Sequence, residues 1–207
     1  MYDEPGYAEQ YDRTRYQDDP RKAQRDAQTK RAVLETLGRL PDVKRLLDLP
    51  CGTGRLSGLL VDAGYDYTGA DLSPSMLEVS REKWRDKPAA KFVQADGEAL
   101  PFADESFDAV LTVRFLNLVP SEPRRRILAE MRRVSRRWIV IASGYFRKHD
   151  FLLPALAPIV PGYAKRVRDN RLLHDDLKAA GWREAFWVPY KSRGMFSTTK
   201  MMGVFEK

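Results

Sequence analysis

The chain has 207 residues, of which 43% are hydrophobic and 31% charged, a balance typical of a folded globular protein rather than a disordered or fibrous one. Its formal net charge of +7 favours an anionic partner, such as a phosphorylated or carboxylated small molecule, nucleic acid or an anionic lipid surface. The single cysteine, Cys51, excludes an intramolecular disulfide, and no apolar run approaches the ~20 residues that span a bilayer. We therefore expect a cytoplasmic protein that folds as one domain over residues 1–207.

Helical and extended patterns alternate along the chain. The predicted helices cover residues 7–17, 21–38, 54–63, 73–84, 121–137 and 170–180. The predicted strands cover residues 45–49, 66–70, 90–95, 107–113, 138–143, 185–190 and 197–207. Such alternation is typical of an α/β fold with a parallel sheet, and only residues 145–168 interrupt it.

Acidic residues and glycines follow the carboxyl ends of successive predicted strands. Asp48 ends the first strand and is followed by a turn containing Gly52 and Gly54, while Asp71 and Asp96 follow the second and third strands. Ligands of doubly wound sheets bind outside the carboxyl ends of the strands, where the strand order reverses. We therefore expect these residues to share one site.

The glycine turn suits a ligand that carries both an anionic and a cationic group. Gly52 and Gly54 allow close approach of the backbone, and a helix starting near Gly54 would direct free N–H groups at an anion. The carboxylate of Asp48 suits the ammonium group of an amino acid.

The next two strand ends suit a nucleoside. Asp71 can accept hydrogen bonds from both ribose hydroxyls of an adenosine. Asp96, followed by Gly97, can bond the amino group and a ring nitrogen of adenine, with Leu72 and Met76 flanking the ring.

A dehydrogenase dinucleotide site is the competing interpretation of the turn. The glycines Gly52, Gly54 and Gly58 follow the spacing G-x-G-x-x-x-G, whereas the dinucleotide motif is G-x-G-x-x-G. An acid at Asp48 would also lie unfavourably close to a pyrophosphate. Both features favour an adenosyl amino acid.

Four ordered motifs resemble the class I S-adenosylmethionine-dependent methyltransferases, in the branch that acts on small molecules and quinone precursors. They are LLDLPCGTGRLSGLL (46–60), GADLSPSML (69–77), VQADGEALPFADESFDAVLTV (93–113) and FLNLVP (115–120). The resemblance covers residues 7 to about 143 and, loosely, the closing strands. It implies a Rossmann-like sheet of seven strands, mostly parallel with an antiparallel last strand, and helices on both faces. It also implies S-adenosyl-L-methionine as cofactor and a methyltransferase activity.

The same resemblance implies roles for further segments. Arg114 would line the cofactor near its methyl group, and residues 1–38 would form a helical cap in which Tyr11 closes over the site. Pro50 stands where the family usually has glycine, and we expect its carbonyl to face the ammonium. Residues 145–168 would form an insertion that covers the substrate.

The methyl acceptor is less well defined by the sequence. The proline-containing apolar stretch 151–163 fits either a lid for a lipophilic or aromatic molecule, touching a membrane surface, or a packing or dimer contact. His149 is the candidate general base, whereas His174 and Cys51 are expected to be structural. No cluster of metal-ligand type is present in the sequence, so no metal is expected.

The arginine-rich helix over 121–137 leaves a second class of partner open. Its apolar residues recur at helical spacing, so the arginines occupy the other face, which favours a solvated surface over a nucleic-acid site. We expect a methyltransferase that acts on a small molecule, as a monomer or homodimer. The alternatives are an RNA-directed methyltransferase and a regulatory protein that binds the cofactor without turnover.

Overall fold

The computed structural model describes residues 6–14, 18–142, 163–191 and 200–207. In these residues the helices are α1 (Tyr7–Asp12), α2 (Pro20–Leu37), α3 (Ser57–Asp62), α4 (Pro74–Lys83), α5 (Ser121–Val134) and α6 (Tyr163–Ala179). The strands are β1 (Arg45–Asp48), β2 (Asp66–Asp71), β3 (Lys91–Gln94), β4 (Phe107–Val113), β5 (Ser135–Ala142), β6 (Arg183–Lys191) and β7 (Lys200–Glu206).

The seven strands form one sheet in the order β3-β2-β1-β4-β5-β7-β6. Strands β1 to β5 pair in parallel, and β7 pairs antiparallel with both β5 and β6. The strand order reverses beside β1, where the chain passes outward to β2 and β3 and then returns to β4. The predicted Rossmann-like fold, mostly parallel with an antiparallel last strand, is confirmed.

Alternation along the central strands gives the sheet two apolar faces. Leu47 and Val110 belong to a core cluster that includes side chains of α5 and α6, whereas Leu46 and Leu111 belong to one that includes α2 and α3. Strand β4 is buried along almost its whole length because it lies between β1 and β5. Helices therefore cover both faces, as expected for parallel strands.

Several predicted helix boundaries are wrong, including that of the helix predicted over 170–180, which begins at Tyr163. The helix predicted over 54–63 begins only at Ser57, because Gly52 and Gly54 have φ values of 55° and 66° and the chain is still turning there. The helix predicted over 121–137 ends at Val134, because Ser135 already pairs with Phe107 as the first residue of β5.

The predicted cap and insertion differ in how far the structure describes them. Helix α2, in the predicted cap over 1–38, packs through Val33 and Leu37 onto one face of the sheet, while α1 contacts α4. Helix α6 begins at Tyr163, inside the predicted insertion over 145–168. The rest of that insertion, residues 145–162, lies outside the described residues.

The side chain of Trp84 lies across the glycine turn and the start of α3. Its indole N–H donates to the carbonyl of Gly54 at 2.7 Å. A Cβ built on Gly58 would lie 2.2 Å from two ring atoms of Trp84. Gly58 is therefore glycine because the indole ring occupies the space of a side chain.

Replacing Gly58 by alanine should lower the free energy of unfolding by about 1–3 kcal/mol, because the Trp84 ring or helix α3 would have to move away. Urea denaturation measures the loss. In a Trp84→Leu background the same substitution should cost clearly less, since the obstructing ring is gone. Equal costs in the two backgrounds would contradict the contact.

Candidate active site

The carboxyl ends of β1, β2 and β3 bring three acidic residues to one edge of the sheet. Asp48 is the last residue of β1, Asp71 is the last of β2, and Asp96 follows β3. Strand β2 lies between β1 and β3, so the three ends are neighbours. The Asp96 carboxylate accepts a hydrogen bond from the backbone N–H of Glu98 at 2.9 Å.

The turn after β1 continues the sheet before it bends away. The N–H of Leu49 donates to the carbonyl of Leu111 at 2.9 Å, and the N–H of Cys51 donates to that of Ala70 at 2.9 Å. The Leu49–Pro50 peptide bond is cis. A Cβ built on Gly52 would meet nothing within 4 Å, so this residue is glycine for its positive φ and borders open space.

Asp71 fastens the glycine turn to the end of β2. Its carboxylate accepts from the backbone N–H of Gly52 at 2.8 Å and from that of Ser73 at 3.0 Å. Burial raises the pKa of Asp71, and the hydrogen bonds from Ser73 and Gly52 oppose this rise. Each carboxylate oxygen has a further lone pair that can accept a ligand hydroxyl.

Asp48 lies at the end of a buried chain of hydrogen bonds. The side chain of Ser57 donates to the hydroxyl of Tyr67 at 2.9 Å, and that hydroxyl donates to Asp48 at 3.1 Å. Asp48 is 2% exposed, and burial raises its pKa to about 7, against the hydrogen bond from Tyr67 and the charge of Arg55. A cation placed beside Asp48 would favour its ionised form.

The residues predicted to flank an adenine ring differ in accessibility. Leu72 is 62% exposed beside Asp71 and offers an apolar surface, whereas Met76 is 4% exposed and lies in the interior. A Cβ on Gly97 would lie 3.4 Å from Ile127, an ordinary van der Waals contact, so the packing of α5 does not require glycine there. Leu72 is therefore the one of the two flanking residues with surface to give to a ligand.

Arg114 has a left-handed backbone conformation at the end of β4. Its φ is 58°, its N–H donates to the carbonyl of Ala142 at 2.9 Å, and the residue is half-buried. This conformation costs an L-residue about 1–2 kcal/mol, and such strain is concentrated at functional sites.

The strain at Arg114 predicts that a glycine variant at this position is more stable than an alanine variant. Arg114→Gly should unfold with a free energy about 1 kcal/mol higher than that of Arg114→Ala, because only glycine adopts this conformation at no steric cost. Both variants lack the guanidinium group, so the difference between them in thermal or urea unfolding reports the cost of the backbone conformation at position 114. An alanine variant as stable as the glycine variant would contradict the strain.

Comparisons with known proteins agree with this geometry. The family model described as "Methyltransferase domain" matches residues 46–137, which include all three acids and the glycine turn. The demethylmenaquinone methyltransferase of Beutenbergia cavernae is 40% identical over 160 residues, covering 72% of this chain and 62% of the relative. That of Renibacterium salmoninarum is 41% identical over 107 residues, covering 52% of this chain and 43% of the relative. The crystal structure of the PH0226 protein from Pyrococcus horikoshii superposes with a TM-score of 0.69 at 19% identity, covering 96% of this chain and 98% of that one.

Residues 46–137 form a methyltransferase domain of the class I S-adenosylmethionine-dependent type. The chain spans only part of the length of the two curated relatives, 43% of one and 62% of the other. The cofactor of this family is S-adenosyl-L-methionine.

The edge of the sheet that carries the three acids fits this cofactor on three independent observations. Asp48 is a buried acid whose ionised form a cation bound beside it would further stabilise. Gly52 borders open space, and the exposed Leu72 stands beside Asp71. An ammonium group and a nucleoside therefore each have a matching group along this edge.

Tyr67, Ser57 and an ion pair behind the turn were not predicted from the sequence. The guanidinium of Arg55 bonds Asp26 of α2, and both side chains are nearly buried. Burial would raise the pKa of Asp26, but the charges of Arg55 and Lys30 hold it below its usual value. The sequence does carry one signal for this pair, because Asp26 lies at helical spacing from the other residues that α2 buries.

The remaining predicted residues either fall outside the described ranges or are not among the acids at the strand ends. His149 and nearly all of the stretch 151–163 fall within residues 143–162, which the described ranges do not include. Tyr11 lies in α1, with its ring stacked on that of Tyr7 at 6.1 Å. His174 faces β6, where its Nε2 lies 2.8 Å from a carboxylate oxygen of Glu184. Burial and the charges of two neighbouring acids raise the pKa of the Cys51 thiol well above its usual value.

The arginines of α5 and the start of β5 are engaged within the chain, which weakens the nucleic-acid alternative. Arg124 and Arg125 bond Asp176, and Arg133 bonds both Glu130 and Asp104. Further acceptors are Glu98 and Glu122 for Arg126, Glu206 for Arg137, Asp108 for Arg136 and the Gly181 carbonyl for Arg132.

The described residues provide neither a metal centre nor a membrane-spanning helix. Within them, no group of three or more histidine, cysteine, aspartate or glutamate side chains is placed to hold a metal ion. Across the same ranges, no helix has both the length and the apolar character to cross a membrane.

Proposed function

We propose that the chain transfers the methyl group of S-adenosylmethionine to a lipophilic aromatic small molecule of the quinol type. The observation that carries this proposal is the row of Asp48, Asp71 and Asp96 along the edge where the strand order reverses, in a chain 40% identical to a demethylmenaquinone methyltransferase. In this proposal residues 1–207 form one domain, because β7 lies between β5 and β6 in the same sheet.

The acids bind the cofactor in order along the sheet. Asp48 holds the ammonium group, Asp71 accepts the ribose hydroxyls, and Asp96 bonds the adenine. Leu72 covers one face of the ring with its exposed side chain. Charge-assisted hydrogen bonds of this kind fix both position and orientation.

When bound, S-adenosylmethionine supplies a methyl group made electrophilic by its sulfonium. The chain contributes orientation, which provides much of the rate when reacting atoms are held in line at about 3–3.5 Å. Arg114 lies next to the cofactor at the end of β4, on the way to the acceptor. His149 would accept the proton of a hydroxylated acceptor.

Apolar residues after β4 support an apolar acceptor. Leu118 is exposed at this edge of the sheet, and the stretch 151–163 is apolar in sequence. In the proposal, residues 145–168 cover the acceptor, and Tyr11 closes the site from the N-terminal side. The same apolar stretch touches the membrane surface from which a lipophilic acceptor is drawn, with the protein in the cytoplasm.

A transfer assay tests the proposed function. The full chain is incubated with methyl-labelled S-adenosylmethionine and a chemically reduced, short-chain demethylmenaquinone, and the extracted lipid is analysed by mass spectrometry. We expect a product heavier by one methyl group, together with S-adenosylhomocysteine. Binding of S-adenosylhomocysteine without transfer to this or related quinols would favour a regulatory protein, and transfer to RNA would favour the RNA-directed alternative.

A further inference from the structure

We infer that Tyr67 is a positioning residue for the amino acid end of the cofactor, because its hydroxyl favours the ionised form of the Asp48 carboxylate and fixes its orientation. This inference rests on the proposed function, in which Asp48 binds the ammonium group. Tyr67 would act through Asp48 and would not touch the ligand.

Three buried side chains form a continuous chain of hydrogen bonds that ends at Asp48. Ser57 donates to Tyr67 at 2.9 Å and Tyr67 donates to Asp48 at 3.1 Å, and all three side chains are buried. The hydroxyl oxygen thus accepts one hydrogen bond and donates another, which aims its proton at the carboxylate.

The neighbouring strand leaves room for this hydroxyl. Gly69 pairs in register with Asp48, and a Cβ on Gly69 would lie only 2.7 Å from the Tyr67 hydroxyl oxygen and 2.9 Å from the Cys51 side chain. Any other residue at position 69 would displace the hydroxyl from Asp48. The aromatic ring itself packs edge-on against Phe92 at 6.2 Å, so phenylalanine can fill its place.

The other groups around Asp48 do not replace this hydrogen bond. On the turn, Arg55 favours the ionised carboxylate, whereas the Cys51 thiol has a raised pKa and stays neutral. On β2, the negative charge of Asp71 disfavours ionisation of Asp48. On β4, the residue paired with Asp48 is Leu111, which carries no charge.

The sign of the effect follows from these contacts. A hydrogen bond donated to a carboxylate favours its charged form, so removing the Tyr67 hydroxyl should raise the pKa of Asp48 above its present value of about 7. A protonated Asp48 attracts an ammonium group only weakly. Cofactor affinity should therefore fall off at a higher pH in the variant.

The test is calorimetric titration of S-adenosylhomocysteine into the full chain between about pH 5.5 and pH 8, a range in which the α-amino group of a free amino acid, unlike that of a peptide, stays largely protonated. In Tyr67→Phe we expect the pH at which affinity falls to move up by about one unit, so that below pH 6 the variant binds about tenfold more weakly. Toward pH 8 the two affinities should converge. Ser57→Ala should shift the profile in the same direction by less.

Tyr65→Phe is the matched control, since it removes a hydroxyl from the residue just before the other end of β2 and should leave the profile unchanged. Carbon NMR of the Asp48 carboxyl, recorded without ligand, should show the same upward shift in Tyr67→Phe. A uniform loss of affinity at every pH, or an unchanged Asp48 titration, would overturn the inference while leaving the proposed function standing. A native chain that binds no S-adenosylhomocysteine at any pH would overturn both.

Discussion

Replacing Asp176 by alanine is expected to lower the free energy of unfolding by about 3–5 kcal/mol, the cost of breaking a buried ion pair from one side. Asp176 is 1% exposed on α6, where it accepts from Arg124 at 2.8 Å, from Arg125 at 2.6 Å and from Ser121 at 2.8 Å. The substitution would leave the buried guanidinium of Arg124 without its carboxylate. It would also remove the polar contact that joins α6 to α5.

Urea denaturation measures this effect, and Asp175→Ala is the matched control because it removes the same group from an exposed position one residue away. We expect the control to change stability by less than about 0.5 kcal/mol.

Burial would raise the pKa of Asp176, but its hydrogen bonds from Arg125, Ser121 and Arg124 hold it below the usual value. The native chain should therefore lose this contribution as the pH falls below about 4, whereas the alanine variant has none to lose. Similar stability of the two alanine variants would show that the pair contributes little.

Replacing Asp71 by alanine is expected to weaken the binding of S-adenosylhomocysteine about 100-fold, because the two charge-assisted hydrogen bonds to the ribose in the proposed site would be lost. The same change releases the backbone N–H of Gly52 and that of Ser73, which the carboxylate now fixes. The substitution would therefore loosen the glycine turn and would also remove a hydrogen-bond acceptor for the ligand.

Calorimetry measures this affinity, and Asp66→Ala provides the comparison. Asp66 is exposed at the opposite end of the same strand, where it pairs with Lys91 at 2.7 Å. Its removal should leave ligand affinity within about twofold, since exposed pairs contribute little. Unchanged affinity in a folded Asp71→Ala protein would remove Asp71 from the site.

The row of acids was predictable because it depends only on where strands end. Parallel strands place their carboxyl ends along one edge, so Asp48, Asp71 and Asp96 could be assigned to that edge from the alternation of helix and strand. The glycine turn could be located for the same reason. The direction of each side chain was not needed for these assignments.

The chain of hydrogen bonds that ends at Asp48 could not be predicted, since it depends on which face of a strand packs inward. Tyr67 and Gly69 stand two positions apart on β2, so they share a face, but a buried tyrosine has many available acceptors. The start of α3 at Ser57 was missed because local spacing does not reveal how long a chain continues to turn. Met76 was assigned to the ligand, although helical periodicity also fits its buried position.

The position of β7 between β5 and β6 has a consequence for biosynthesis. Strand β7 follows β6 in the chain but lies between β5 and β6 in the sheet, so one edge of β5 stays unpaired until residues 200–206 have emerged from the ribosome. Val204 and Phe205, both buried in the finished sheet, are then the side chains that close it. Nascent chains should thus expose an unpaired strand edge during translation, and chains truncated shortly before β7 should aggregate.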